Sequence, residues 1–242
     1  MDFDLFLSSV DAARIRRVLH KLHRGSFDHY ALTGSLAMEL HLAEVGSGRG
    51  LRRLNDIDIV VDRPFSAFPT ALAESFSLRH IHPNAAKGKM LIQAVDLQES
   101  LRIDMFSDFG GQVGRTKTFD LETMSLRAVS LEDLAARACA ISMDIAQEKA
   151  VPSKHGRAFL ELLDVINFAD AEIAWQDHRS SNDPATFTKA ALMVRRLIDS
   201  RPELLVVPEY SKDVNEVCKK CVEIEPFRLG SASEILSALG YC

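Results

Sequence analysis

At 242 residues, with 47% hydrophobic and 26% charged residues, the chain can bury one substantial core, or a core plus a smaller helical part. A formal net charge of −5 argues against a bulk nucleic-acid binder while leaving a local basic groove open. The four cysteines make no dense disulfide framework, the opening Met1-Asp2-Phe3-Asp4 is acidic, and no apolar run approaches the ~20 residues of a membrane span. No membrane partner is therefore expected, and a reducing cytoplasm is the expected location.

Ser9 to about Arg24 carries Val10, Ala13, Ile15, Val18, Leu19 and Leu22 among basic residues, an amphipathic helix with Ser9 as its cap. A short apolar strand over 29–33 is followed by a helix over 35–44 with Leu36, Met38, Leu40 and Leu42. Residues 46–53 form a Gly-rich basic loop, and 56–61 read as a buried strand. The stretch 65–76 reads as helix; 77–82, 90–97 and 101–106 read as three successive strands. Beyond about Leu126 helical patterns take over, near 131–149, 153–171, 184–200, 211–224 and 232–239, with prolines between or at their edges. The expected fold is an α/β (α+β) core with a mixed sheet and flanking helices over 1–125, followed by an all-helical domain over 126–242.

Three acids carry the chemistry. Asp56 and Asp58 stand in Asn55-Asp56-Ile57-Asp58-Ile59-Val60-Val61, and Asp104 in Arg102-Ile103-Asp104-Met105-Phe106. A strand projects residues two apart from one face, so Asp56 and Asp58 would lie about 6–7 Å apart at Cα. Like charges held that close inside an apolar run call for a cation. Oxygen-only ligands suit Mg²⁺ (or Mn²⁺), which also borrows oxygens from a substrate phosphate. Upstream, Gly34-Ser35 ends a strand and opens a helix. Glycine there lets a triphosphate approach the backbone, the helix start offers free N–H groups, and Ser35 adds a hydroxyl. The plainer alternative is a strand-to-helix turn with Ser35 as its cap.

Thr33-Gly34-Ser35, Asn55-Asp56-Ile57-Asp58-Ile59 and Ile103-Asp104-Met105 together resemble, in order, the motifs of the DNA polymerase β-like nucleotidyltransferase superfamily. The resemblance covers roughly residues 28 to 108. More loosely, Ser130-Leu131-Glu132-Asp133-Leu134 and Lys154-His155-Gly156-Arg157 with Asp164 resemble the minimal nucleotidyltransferases that include AbiEii toxins. The resemblance implies a core that binds NTP such as ATP, closed on its other side by the helical part. It implies that Asp56, Asp58 and Asp104 hold metal, that Asp104 takes the proton of an attacking hydroxyl, and that Lys154 touches substrate phosphate. The acceptor stays open: a tRNA end with a separate antitoxin protein as partner, as the AbiEii resemblance implies, or a small hydroxylated molecule of the antibiotic type, or a protein side chain. A non-catalytic nucleotide-binding module that kept the fold is the rival from another class, and a metal-dependent hydrolase a weaker third.

Other features read more plainly. Arg49, Arg52 and Arg53 flank the Gly-rich loop, where Arg53 is a nucleotide-phosphate candidate and a solvated loop is the alternative. Cys218 and Cys221 have the spacing of one helix face and, without a second pair, read as core. His80 and His82 share a strand face with nothing to complete a ligand set. Trp175 stands alone and supports no base-stacking role.

Overall fold

The computed structural model describes residues 2–25, 29–46, 54, 56–61, 75–84, 89–108, 110–121, 124–147, 154–206 and 227–228. Among them the chain forms two compact units. The first takes in Met1–Phe109, Thr116–Ala128 and a short strand at Phe227–Arg228; the second takes in Gly110–Arg115 and Val129–Ser211.

The first unit is built on an eight-stranded sheet. In chain order its strands are β1 (Tyr30–Thr33), β2 (Asp56–Val61), β3 (Phe76–Asn84), β4 (Lys89–Asp96), β5 (Arg102–Ser107), β6 (Thr116–Asp120), β7 (Ser125–Val129) and β8 (Phe227–Arg228). In space they run β6-β7-β1-β2-β5-β4-β3-β8. The sheet is mixed, as expected: β1 is antiparallel to β2, β2 is parallel to β5, and β5, β4 and β3 follow antiparallel. Two features depart from the expectation. Strands β6 and β7 extend the sheet beyond β1, with β7 running across the anticipated boundary at 125/126, and β8 returns part of the region expected to be all helical to the β3 edge. Both β6 and β7 are five residues long with mixed polarity, so their periodicity is thin in sequence.

Helix α1 (Ser9–Arg24) buries Ile15, Val18, Leu19 and Leu22 along one stripe. Its cap is Ser8, one residue earlier than anticipated, whose hydroxyl accepts from the Asp11 N–H. The polar side of α1 grips the turn after β4. Arg14 donates to the Glu99 carbonyl, Arg17 pairs with the Glu99 carboxylate, and Lys21 Nζ lies 2.8 Å from the buried Asp96. Asp96 also accepts from the backbone N–H groups of Gln98 and Glu99, which shapes that turn. Helix α2 (Gly34–Glu44) follows β1 directly and packs on β1 and β2.

In the second unit α3 (Leu131–Gln147) packs against α4 (Lys154–Leu163), α5 (Phe168–His178) and α6 (Phe187–Ser200). The expected single helix over 153–171 is two helices. The chain leaves α4 after Leu163, and Asn167 caps α5 by accepting from the Ala169 and Asp170 N–H groups. Trp175 is fully buried beside Phe187, its indole N–H donated to the Pro184 carbonyl, so it serves the core. Buried Asp133 near the start of α3 receives both Arg115 and His178, with Ser130 completing the cap. The segments expected as helices over 65–76, 211–224 and 232–239 lie outside the described residues, apart from Ser75 and Phe76. No helix among the described residues is long and apolar enough to cross a membrane.

Candidate functional site

Strand register places the acids. Asp58 lies opposite Thr33 on β1 and opposite Asp104 on β5, and Asp104 lies opposite Gln93 on β4. Residues directly opposite across a ladder share a face, so Thr33, Asp58, Asp104 and Gln93 form one polar row across four strands. Two residues along, Asp56 lies opposite Arg102 on that same face. The alternate residues Ile57, Ile59, Ile103 and Met105 are buried on the other face, which fixes the register.

The result is a carboxylate trio. Each of Asp56, Asp58 and Asp104 offers an oxygen within 4.8 Å of the others. Asp56 and Asp58 are half-buried, whereas Asp104 is 4% exposed. Such a donor set, all oxygen and three-fold, fits a hard divalent cation of the Mg²⁺ or Mn²⁺ kind.

Gly34 completes the same corner. It sits at φ +65°, left-handed backbone that side-chain-bearing residues disfavour. A β-carbon there would fall 2.8 Å from Asp58 Cγ and closer still to Oδ2. The missing side chain thus leaves room for the Asp58 carboxylate as well as for any ligand. Ser35, half-buried, stands in the first turn of α2, which carries no acidic residue to repel an anion.

Two partners of the trio were not singled out from sequence. Arg102, itself buried, places Nε 2.8 Å from Asp104 Oδ1 and donates from Nη2 to Asp104 Oδ2 at 3.0 Å and Asp56 Oδ2 at 3.3 Å. Gln93 donates its amide to Asp104 Oδ1 at 3.0 Å. Arg102 was signalled by its place two residues before Asp104 on the same strand. Gln93 had no such signal, because only the β4–β5 register brings it there.

Of the residues read from sequence, Gly34, Asp56, Asp58 and Asp104 come together in the first unit, with Ser35 adjoining. Lys154 is the first residue of α4 in the second unit. Arg53 lies outside the described residues, as do Arg49, Arg52, Cys218 and Cys221. His80 lies on β3 as the register partner of Gln93, and His82 is the partner of Leu91.

No family model and no curated protein matches this chain. Among solved structures it is similar to the antibiotic-resistance factor ANT(2'')-Ia, with 12% identity, coverage of 79% of this chain and 94% of that one, and a TM-score of 0.43. An antigenic nucleotidyltransferase-like protein from Paracoccidioides brasiliensis gives 14% identity, 82% and 92% coverage, and a TM-score of 0.45. A putative nucleotidyltransferase from H. pylori gives 13%, 84% and 100%, with a TM-score of 0.34. At these scores the functional reading rests on the geometry of the site itself.

Proposed function

We propose that the protein is a metal-dependent nucleotidyltransferase that moves an NMP from an NTP to an acceptor hydroxyl with release of pyrophosphate. The observation that carries this reading is the convergence of Asp56, Asp58 and Asp104 within 4.8 Å, with Gly34 packed against Asp58 at the opening of α2. Asp56, Asp58 and Asp104 would hold Mg²⁺ or Mn²⁺, which when bound offsets the charge of the triphosphate and of the in-line displacement. The first turn of α2 presents the Ser35 hydroxyl and backbone N–H groups to phosphate oxygens. An acceptor oxygen forms its bond to the α-phosphorus as the bond to pyrophosphate breaks, and a carboxylate oxygen of Asp104 takes the hydroxyl proton. Arg53 and Lys154 are the remaining candidates for phosphate contacts.

The acceptor is a tRNA end or a small hydroxylated molecule. On the first reading the protein is an AbiEii-like toxin with an antitoxin partner; on the second it is an antibiotic-type modifying enzyme. Incubation with each of four labelled NTPs and either cellular RNA or small-molecule pools shows which acceptor takes the label. Asp58→Asn is expected to abolish transfer while the far-UV spectrum stays unchanged. Full transfer by Asp58→Asn would sink the mechanism. One observation favours the rival reading of a binding module without turnover: Arg102 already neutralises part of the trio. Metal-dependent NTP binding in calorimetry, with no pyrophosphate released to any acceptor or to water, would establish that rival.

A further inference from the structure

The polar row Thr33–Asp58–Asp104–Gln93 ends on two buried atoms that have no hydrogen-bond partner among the described residues, Thr33 Oγ1 and Gln93 Oε1. Leaving such groups unpaired is costly, so each calls for a use. The two differ in chemistry. A hydroxyl donates as well as accepts, whereas an amide oxygen only accepts. Thr33 is fully buried beside Gly34, and its hydroxyl caps no backbone N–H of α2. Gln93 is 7% exposed and lies three strands away, roughly 14 Å at the usual strand spacing. Asp104 sets the orientation of the Gln93 amide. Arg102 donates to Asp104 Oδ2 and lies 2.8 Å from Oδ1, so the carboxylate is an acceptor on both sides. The group that Gln93 turns to Oδ1 at 3.0 Å must then be its N–H₂, which leaves the amide oxygen over. Phosphate oxygens offer that oxygen nothing, whereas a hydroxyl or an ammonium does.

We infer that Gln93 selects the acceptor, an inference that rests on the nucleotidyltransferase reading with Asp104 as proton acceptor. Gln93 Oε1 takes a hydrogen bond from a second hydroxyl or an ammonium on the carbon next to the one bearing the attacking hydroxyl. The preferred acceptor is therefore a vicinal diol or a vicinal amino alcohol rather than an isolated hydroxyl. In-line displacement puts the entering oxygen and the leaving pyrophosphate on opposite sides of the α-phosphorus. With the phosphates at Gly34 and Ser35 on the β1 side, the acceptor enters from the side of Asp104 and Gln93. Its attacking oxygen bonds to phosphorus as the proton passes to Asp104 and pyrophosphate departs. The neighbouring hydroxyl or ammonium keeps its proton and shares it with Oε1. The oxygen and nitrogen of an amide are joined through one carbon, so Oε1 stands a short step from the carboxylate, within the reach of adjacent carbons on the acceptor. A molecule without the second donor leaves Oε1 buried and unpaired, which is how a polar site rejects a near-isostere.

The test uses the full chain with Mg²⁺, labelled NTP and two pairs of acceptors. One pair is an RNA oligonucleotide ending in a ribose with its 2′,3′-diol and the same oligonucleotide ending in 2′-deoxyribose. The other is an aminoglycoside and its analogue lacking the amino group beside the free hydroxyl. In whichever pair takes the label, the native protein should favour the member with the second donor about tenfold or more in kcat/KM. Gln93→Met keeps the length of the side chain and removes both polar atoms. Its kcat should fall for both members, because Asp104 loses a donor, while the ratio between them collapses towards one. Acceptor binding in calorimetry, with a non-hydrolysable NTP analogue in place, should show the same collapse without turnover. A purely structural role would weaken both members alike and leave the ratio intact.

If Gln93→Met does not fold, the native ratio decides alone. Equal use of both members by the native protein, or the full preference retained in Gln93→Met, overturns the inference and leaves the transferase standing. Label landing only on protein side chains does the same, since their hydroxyls have neither a hydroxyl nor an ammonium on the next carbon. A loss of affinity for the NTP analogue in Gln93→Met, with acceptor binding unchanged, overturns it by assigning Oε1 to the nucleotide's own ribose. NTP binding with no pyrophosphate released to any acceptor overturns both readings.

Discussion

Gly34 shows how little space the site leaves. The left-handed φ alone would cost an alanine roughly 1 kcal/mol, and the added methyl would also meet the Asp58 carboxylate. Asp58 must then turn away from Asp104 or the β1–α2 turn must open. Gly34→Ala is expected to weaken Mn²⁺ binding and to lower transfer by about a hundredfold, in keeping with the sensitivity of catalytic geometry to displacements near 1 Å. The fold should survive, because Gly34 lies at the edge of the core. Native-like Mn²⁺ affinity in Gly34→Ala would show that the Asp58 carboxylate can settle elsewhere without loss.

At the scale of elements, α1 is fastened to the sheet by charge as well as by its apolar stripe. Asp96 is wholly buried and is held by Lys21 and two backbone N–H groups. Lys21→Met removes the cation and leaves the carboxylate behind, a change worth about 3 kcal/mol in a buried pair. The measurement is urea unfolding. A double variant Lys21→Met with Asp96→Asn should regain part of the loss, which would separate the ion pair from simple packing. Elements also show what sequence could convey. Helix α1 and strands β2 to β5 were legible because their apolar residues repeat with clear helical or strand periods. The break between α4 and α5 was not, since Leu162, Leu163, Val165 and Ile166 carry the apolar pattern across it. Only the Asn167 side chain, folded back onto the start of α5, marks the stop, and asparagine alone is a weak signal. Asp56 and Asp58 were legible from the Asp-Ile-Asp spacing and Asp104 from the ordered motifs of the resemblance, whereas Gln93 depended on a pairing between strands that no local pattern encodes.

On the scale of the whole molecule, the two units have different electrostatic supports. In the second, the buried acid among the described residues is Asp133. Burial pushes the Asp133 carboxyl upward, but hydrogen bonds and charge from His178 and Arg115 outweigh it and hold its pKa at about 2. An ordinary aspartate in the unfolded chain titrates near ~3.9. The folded value is the lower, so the stabilisation is complete above about pH 4 and is lost as pH falls towards 2. It amounts to roughly 2–3 kcal/mol. Melting temperature measured from pH 5 to pH 2 should therefore fall more steeply in the native protein than in Asp133→Asn, which has already lost that support. Parallel slopes would show that Asp133 has no special share in acid unfolding.

The parallel pairing of β2 with β5 has a kinetic consequence. A parallel pair cannot close through a tight turn, and here the whole β3–β4 hairpin lies between the two strands in sequence. Such non-local contacts pair slowly, after local hairpins have formed. Asp58 and Asp104 become neighbours only when that pairing is complete, so no shorter stretch of chain carries the three-acid cluster. Divalent-ion capture during refolding would then report this long-range step of sheet assembly, and a chain stalled before it would stay chemically silent.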